Sequence, residues 1–252
     1  MKSFVRSPNL PERCAALIYG EKYAGFLEKS LDSLGIESIL MPDNPHIDSR
    51  LMGHTDLSIL HIGENLMFLA PFLKGSAFSA HLQELGAEIR YPDVAQGASY
   101  PHDAQFNLCM IKDRIILNPK TAAESIVDYL TNILENHFVP VRQGYSRCAA
   151  CVVDGRSIIT ADRGLAAASE VSDLQVLLIQ PGHIQLDGYD YGFIGGASFK
   201  IASDKLAFTG HLSNHPDKDR ILRFLNDRGI EPVFLSKYPA FDIGTAVPIL
   251  EN

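Results

Sequence analysis

The sequence predicts an α/β protein of five similar units, a five-fold pseudosymmetric α/β propeller whose ring is closed by pairing an N-terminal strand (14–20) with a C-terminal strand (243–250). Three observations predict it. A helix-then-strand phrase recurs as "LGIESILMPD" (Leu34 to Asp43), "LGAEIRYPD" (Leu85 to Asp93) and "RGIEPVFLSKYP" (Arg228 to Pro239). Pairs of short apolar runs split by turn residues recur between these phrases. The last unit also stops after one hairpin strand, "FDIGTAVPIL", while "CAALIYG" (Cys14 to Gly20) precedes the first helix without a unit of its own. Pairing these two leaves neither as a bare edge.

The repeats fall at 21–73, 76–119, 121–162, 163–210 and 217–252 plus 11–20, all within one domain, 1–252. In "YAGFLEKSLDSLG", Tyr23, Phe26, Leu27, Leu31 and Leu34 share a helical face. "DRILRFLNDRG" does the same with Ile221, Leu222, Phe224 and Leu225. The helices stop at Gly35, Gly86 and Gly229, where a glycine C-cap is expected. Hairpins are expected to turn at Gly63 to Asn65, Lys112 to Arg114, Asp154-Gly155 and Ser203-Asp204. "AAESIVDYLTNILENHFVPVRQ" and "RGLAAASEVSDLQVLLIQPG" supply the middle helix-then-strand segments. "TGHLSNHPDKDR" reads as loop into helix, with Ser213 or Asn214 as N-cap, and His211 and His215 in the loop. An open doubly wound sheet would explain the helices but not the repeated hairpins.

Composition narrows the partners. The 252 residues are 46% hydrophobic and 21% charged, with a net charge of -8 and scattered Lys and Arg, which argues against nucleic acid. No apolar run approaches the roughly 18 residues of a membrane span, and "MKSFVRSPNLPER" has no apolar signal region. Four cysteines are too few for a disulfide scaffold in a chain this long. The expectation is a cytoplasmic protein with a small-molecule ligand and no cofactor, no nucleic-acid partner and no membrane partner.

Five such units resemble the pentein fold of the guanidino-group-modifying enzyme (GME) superfamily. That superfamily includes arginine and agmatine deiminases, amidinotransferases and dimethylarginine dimethylaminohydrolase; a non-catalytic ribosome anti-association factor shares the fold. "HTDLSILHIGENLMFLAP" resembles the family's first hairpin and "PHDAQFNLCMIKDRIILNP" its second. More narrowly, the chain resembles a family of unknown function assigned to this fold. The resemblance implies that polar residues at the start of each inner hairpin strand converge. Those are His54 and Asp56, His102 and Asp103, Tyr145 and Arg147, Asp187 to Tyr191, and Asp242.

The resemblance also implies a cysteine nucleophile in the fifth unit, a histidine in the third, and carboxylates that grip the substrate. Here no cysteine follows Cys151. The nucleophile position falls within "GTAV", on Ala246 with Thr245 and Val247 beside it, and the histidine position falls near Tyr145, a poor base at neutral pH. The expectation is therefore a protein of this fold without the usual nucleophile, whose acidic pocket binds a small cationic or guanidino-type metabolite. Asp56, Asp103, Arg147, Asp187, Tyr191 and Asp242 are the expected ligand-binding residues. Cys148, His54, His102 and Tyr145 are the catalytic candidates. One alternative is a hydrolase using Cys148 or a metal-bound water, with activity on C–N bonds. Another is a non-catalytic interaction scaffold.

Four features have competing readings. "CAAC" offers either buried structural thiols or a reactive Cys148, whose pKa Arg147 would lower. Cys148 and Cys151, three apart on a strand, would face opposite sides and share no metal. "HTD" and "PHD" form either a polar mouth or a divalent-metal set; no metal is expected. "GFIGGASFK" lacks the phosphate-loop patterns, so Gly195 and Gly196 let backbone pass closely or leave room beside a ligand. "DGYDYGF" is a cation cage or a turn.

Overall fold

The computed structural model describes residues 2–133 and 137–252. The chain opens with β1 (Ser3–Phe4), β2 (Cys14–Gly20), α1 (Ala24–Ser33) and β3 (Glu37–Met41). Then one pattern repeats: an antiparallel hairpin, a helix, and a strand that returns parallel to the second hairpin strand. It runs β4 (Ile59–Gly63), β5 (Leu66–Leu69), α2 (Ala77–Glu84), β6 (Glu88–Arg90), then β7 (Cys109–Ile111), β8 (Arg114–Leu117), α3 (Glu124–Ile133), β9 (His137–Pro140). A one-turn helix α4 (Ser146–Ala149) leads into β10 (Cys151–Asp154), β11 (Ser157–Thr160), α5 (Arg163–Val171) and β12 (Gln175–Leu178). The fourth hairpin is β13 (Ser198–Ala202) and β14 (Lys205–Phe208), followed by α6 (Lys218–Asn226), β15 (Glu231–Phe234) and the final β16 (Val247–Glu251). Residues 134–136 of the expected third helix-and-strand stretch lie outside the described residues.

Local chemistry sets these boundaries. Gly35, Gly86 and Gly229 take φ of 72°, 98° and 66° after α1, α2 and α6, a region that costs a side chain but not glycine. Ser76 and Asp162 cap α2 and α5 by accepting from Ser79 N and Leu165 N. Helix α6 starts at Lys218 with Asp217 at its N-cap, four or three residues later than Ser213 or Asn214. Asp217 is held there by the Gln180 N–H (2.7 Å) and Arg220 Nη1 (2.6 Å). Among the described residues no helix is long and apolar enough to cross a membrane.

The expected closed ring is corrected. The strands form five separate sheets, four of three strands and one of four in the order β1-β16-β2-β3, and no sheet closes on itself. Strand β2 does pair with β16, but that ladder only completes the four-stranded sheet. It begins at Val247 rather than 243, because Gly244 and Thr245 turn through positive φ of 66° and 62°. Each unit of the folded chain is one sheet with its helix, a hairpin followed by a helix and a returning strand, and backbone ladders stay within these units. Between units the work is done by shared apolar clusters. Ile18 and Met41 pack with Ile59 and Met67; Leu60 and Phe68 with Met110 and Ile115; Cys109 and Ile116 with Val152 and Ile158. Val153 and Ile159 pack with Leu206 and Phe208, and Phe199 and Ala207 with Leu17 and Leu31. Burying both faces of each sheet needs no ladder between sheets.

One buried group gives this fold a pH dependence. His61 on β4 sits in the core, with Nε2 2.7 Å from the Glu64 carbonyl and Nδ1 without a partner. Burial pushes its pKa down to about 4. The unfolded chain binds this proton from about pH 6.5 downward, so the folded state loses stability as pH falls from 6.5 to 4. We expect the stability of His61→Gln relative to native to rise by about 3 kcal/mol over that window. Urea unfolding at pH 7 and pH 4 checks this; a constant difference contradicts it.

Candidate active site

The site begins with helix α4. The backbone at residues 145–149 folds as one helical turn rather than the extended strand that the cysteine spacing suggested. A helix start exposes unpaired N–H groups. Here the side chain of Asn107, from the preceding unit, takes two of them: its Oδ1 accepts from Arg147 N (2.7 Å) and Cys148 N (3.3 Å). The turn separates the two cysteines. Cys151 enters β10 and the apolar core, while Cys148 lines a cavity.

His54 and Asp56 also lie off any strand. His54 is extended, and Asp56 falls in a 3-10 turn over Thr55–Leu57. The Asp56 N–H donates to Gly244 O at 3.1 Å, which brings the first unit against the last. The Cys148 thiol donates to Asp56 Oδ2 at 2.7 Å, and Asn107 Nδ2 stands 3.5 Å from the same sulfur. One ring nitrogen of His54, one Asp56 oxygen and Cys148 Sγ all lie within 4.8 Å of one another. Asp242 Oδ1 is 3.9 Å from His54 Nδ1, and its oxygens accept from the N–H groups of Phe193 and Gly244, each at 2.8 Å. His54 Nε2 and Asp56 Oδ1 have no hydrogen-bond partner.

Burial controls the charge states. It pushes Asp56 up to about 7, with Asp242 adding to the rise and the Cys148 thiol and Arg147 opposing it. It pushes Asp242 up to about 6 against the two N–H donors, and His54 down to about 3. Cys148 is raised well above an ordinary thiol, by burial first and then by the charges of Asp56 and Asp242. The expected lowering by Arg147 is thus corrected. That guanidinium turns away, donating to Asn9 Oδ1, Ala150 O, Gly195 O and Thr245 Oγ1. At neutral pH the cluster holds a thiol, a neutral imidazole and a carboxyl near its midpoint.

His54, Cys148, Asp242 and Tyr145 line a cavity of about 280 Å³ with apolar walls from Leu51, Leu57, Leu186 and Phe193. Tyr191 is at its rim, 44% exposed. Asp103 is buried one step behind, accepting from Tyr145 Oη at 2.8 Å. Asp187 is exposed and borders a neighbouring cavity of about 220 Å³ that shares Leu186 and Asp242. His102 is exposed and away from the cluster, and Arg147 is buried outside the cavity lining. Gly195 and Gly196 serve close approach: a Cβ on Gly195 would sit 2.5 Å from Cys148 O, and one on Gly196 1.9 Å from Asp242 Oδ1.

The expectation of a pocket without a cysteine nucleophile is therefore corrected, and with it the reading of a pocket that only binds a cationic or guanidino-type metabolite. A cysteine stands in the cluster, but it comes from the third unit on α4 and not from the fifth. In the fifth unit Thr245 Oγ1 is occupied by Arg147 Nη2 and Ser198 O, and Ala246 is buried without a reactive group. Asn107 was missed by sequence reasoning. Its only signal is a polar residue two positions before β7, as Asp56 lies three before β4 and Arg147 four before β10.

Comparison with solved structures places this architecture. The chain is similar to SxtG, an amidinotransferase from Microseira wollei in the saxitoxin biosynthetic pathway, at 12% identity and a TM-score of 0.62, covering 97% of this chain and 96% of that one. It is similar to inosamine-phosphate amidinotransferase from Streptomyces griseus, at 10% identity and TM-score 0.56 over 98% and 97%. It is also similar to C. jejuni agmatine deiminase, at 9% identity and TM-score 0.54 over 93% and 91%. The protein thus has the pentein fold of the guanidino-group-modifying enzymes. Within that fold, the chain belongs to a family of unknown function, DUF6873, whose model matches residues 20–247. No curated protein matches it.

The glycines beside the site give a direct test. Gly196→Ala is expected to lower stability by about 3 kcal/mol, because the new Cβ meets the buried Asp242 carboxylate. Gly25→Ala, in the first turn of α1 where a Cβ meets nothing within 4 Å, is expected to raise stability by about 0.5 kcal/mol. Denaturant unfolding of both measures the contrast; equal effects would contradict the packing.

Proposed function

We propose that this protein is a hydrolase of C–N bonds with Cys148 as its nucleophile. The observation that carries the reading is the 2.7 Å contact from the Cys148 thiol to Asp56 Oδ2 at the wall of a cavity. A thiol needs an adjacent base to become a nucleophile, and Asp56 is that base. The thiol proton passes to Asp56 while Sγ bonds to an sp² carbon of the substrate, and the π pair moves onto a heteroatom. As that pair returns, the C–N bond breaks and the leaving nitrogen takes the proton from Asp56. Asp56 then removes a proton from water. The C–O bond forms, the C–S bond breaks, and the thiol is restored. His54, neutral and unpartnered at Nε2, is placed to hydrogen-bond the bound substrate.

The fold supports the bond class, since solved relatives are an agmatine deiminase and amidinotransferases. The cavity of about 280 Å³ supports a small substrate. The test is ammonia or amine release from a panel of small amides, amidines and ureas. An active compound should lose activity by about 10³-fold or more in Cys148→Ala and about 10²-fold or more in Asp56→Asn. Acid quench should trap a substrate adduct on Cys148 by mass spectrometry. Full activity in Cys148→Ala, or an adduct elsewhere, overturns the reading.

A further inference from the structure

We propose that His54, Asp56 and Cys148 also form a site for one divalent cation of the zinc type, with its fourth coordination position open to the cavity. The three donor atoms lie within 4.8 Å of one another, and all three residues are buried. Donors around a tetrahedral zinc stand about 3.3–3.8 Å apart, given bonds of about 2.0–2.3 Å. Small side-chain rotations suffice: the sulfur and Asp56 Oδ2 move slightly apart, and the imidazole moves inward.

A second, independent observation is the pair of orphaned atoms. His54 Nε2 and Asp56 Oδ1 are both buried without a partner in the same cluster. Such atoms are rare and costly, since each lost its water on folding. A cation bound by lone pairs satisfies such atoms without needing a further donor. The donor set selects the metal. One sulfur, one imidazole nitrogen and one carboxylate oxygen suit zinc and not magnesium or calcium, which take oxygen. Charge also balances: a thiolate and a carboxylate together offset a dication in a place where a lone charge is costly.

Supporting contacts are in place. Asn107 Nδ2, 3.5 Å from Cys148 Sγ, donates to the thiolate, and Asp242 Oδ1, 3.9 Å from His54 Nδ1, is close enough to reach the ring N–H after a small shift. On binding, the thiol proton leaves to solvent and the freed sulfur pair forms the metal bond. The fourth position then holds water or a donor atom of a small ligand. Because the metal takes the sulfur pair, the loaded protein cannot carry out thiol attack. That consequence rests on the hydrolase reading above; the metal site does not.

The test uses the full chain after chelator treatment. Titration with Co²⁺ is expected to give one ion per chain and a sulfur-to-metal charge-transfer band. The band should vanish in Cys148→Ala and persist in Cys151→Ala. Affinity should fall about 10-fold or more in Asp56→Asn, whose volume is unchanged and whose folding circular dichroism confirms. Zn²⁺ should slow alkylation of Cys148, located by mass spectrometry, about 10-fold or more and raise the melting temperature of native protein by more than that of Asp56→Asn. Binding well below one ion per chain, or a band that survives in Cys148→Ala, overturns the inference. If Cys148-dependent hydrolysis is found without stoichiometric metal binding, the metal inference falls alone. If metal binds through these residues and Cys148 has no role in turnover, the hydrolase reading falls and the site stands.

Discussion

A buried guanidinium with no carboxylate at ion-pair distance among the described residues holds the middle of this protein together. Arg147 is 4% exposed, and its charge is satisfied by hydrogen bonds alone. They reach Asn9 near the N-terminus, Ala150 in its own unit, Gly195 in the fourth unit and Thr245 in the last. An unpaired buried charge costs several kcal/mol unless its donors are used. That requirement ties three remote segments, at Asn9, Gly195 and Thr245, to one side chain. It also explains a strained residue. Thr245 is β-branched and holds φ of 62°, a conformation that such residues avoid. Its hydroxyl accepts from Arg147 and donates to Ser198 O, which offsets the strain. Because Cys148 is the next residue after Arg147, the thiol's position follows from the guanidinium's.

The site exists only where units meet. Asp56 N donates to Gly244 O, Asn107 joins Asp56 O to the start of α4, Gly196 N donates to Cys148 O, and Thr245 N donates to Gly196 O. Each link is one or two hydrogen bonds, so the groups are placed by cross-unit contacts and not by any one ladder. This central packing also excludes water from the ionisable groups. The same burial that raises Asp56 to about 7 and lowers His54 to about 3 limits the charge that the cluster carries beside the cation of Arg147.

Much of the fold was legible in sequence because its signals are local. Helix-stopping glycines, hairpin turns and alternating apolar runs each act over a few residues, and all four hairpins form where the turn residues placed them. Ring closure was misread because sequence period shows that units repeat and says nothing of whether hydrogen bonds or side chains join them. For the site, His54, Asp56 and Cys148 were legible as residue types at the starts of hairpins. Their contact was not, because it depends on a one-turn helix capped by Asn107 from another unit. Resting the main expectation on the fifth unit followed the family's motif order and left Cys148 as the alternative, whereas burial and proximity admit a thiol from any unit that reaches the centre.

The sheets that fail to close leave rows of unpaired backbone groups at their outer margins, a template on which a foreign strand could add. This chain keeps those margins unattractive. Strand β6 is three residues long and carries the exposed Glu88–Arg90 ion pair, and β15 begins at Glu231, paired with Lys205. Strand β12 spans four residues and is flanked by Arg228, bonded to its Gln175 side chain. Short length and fixed charge make these three margins poor seeds for strand addition.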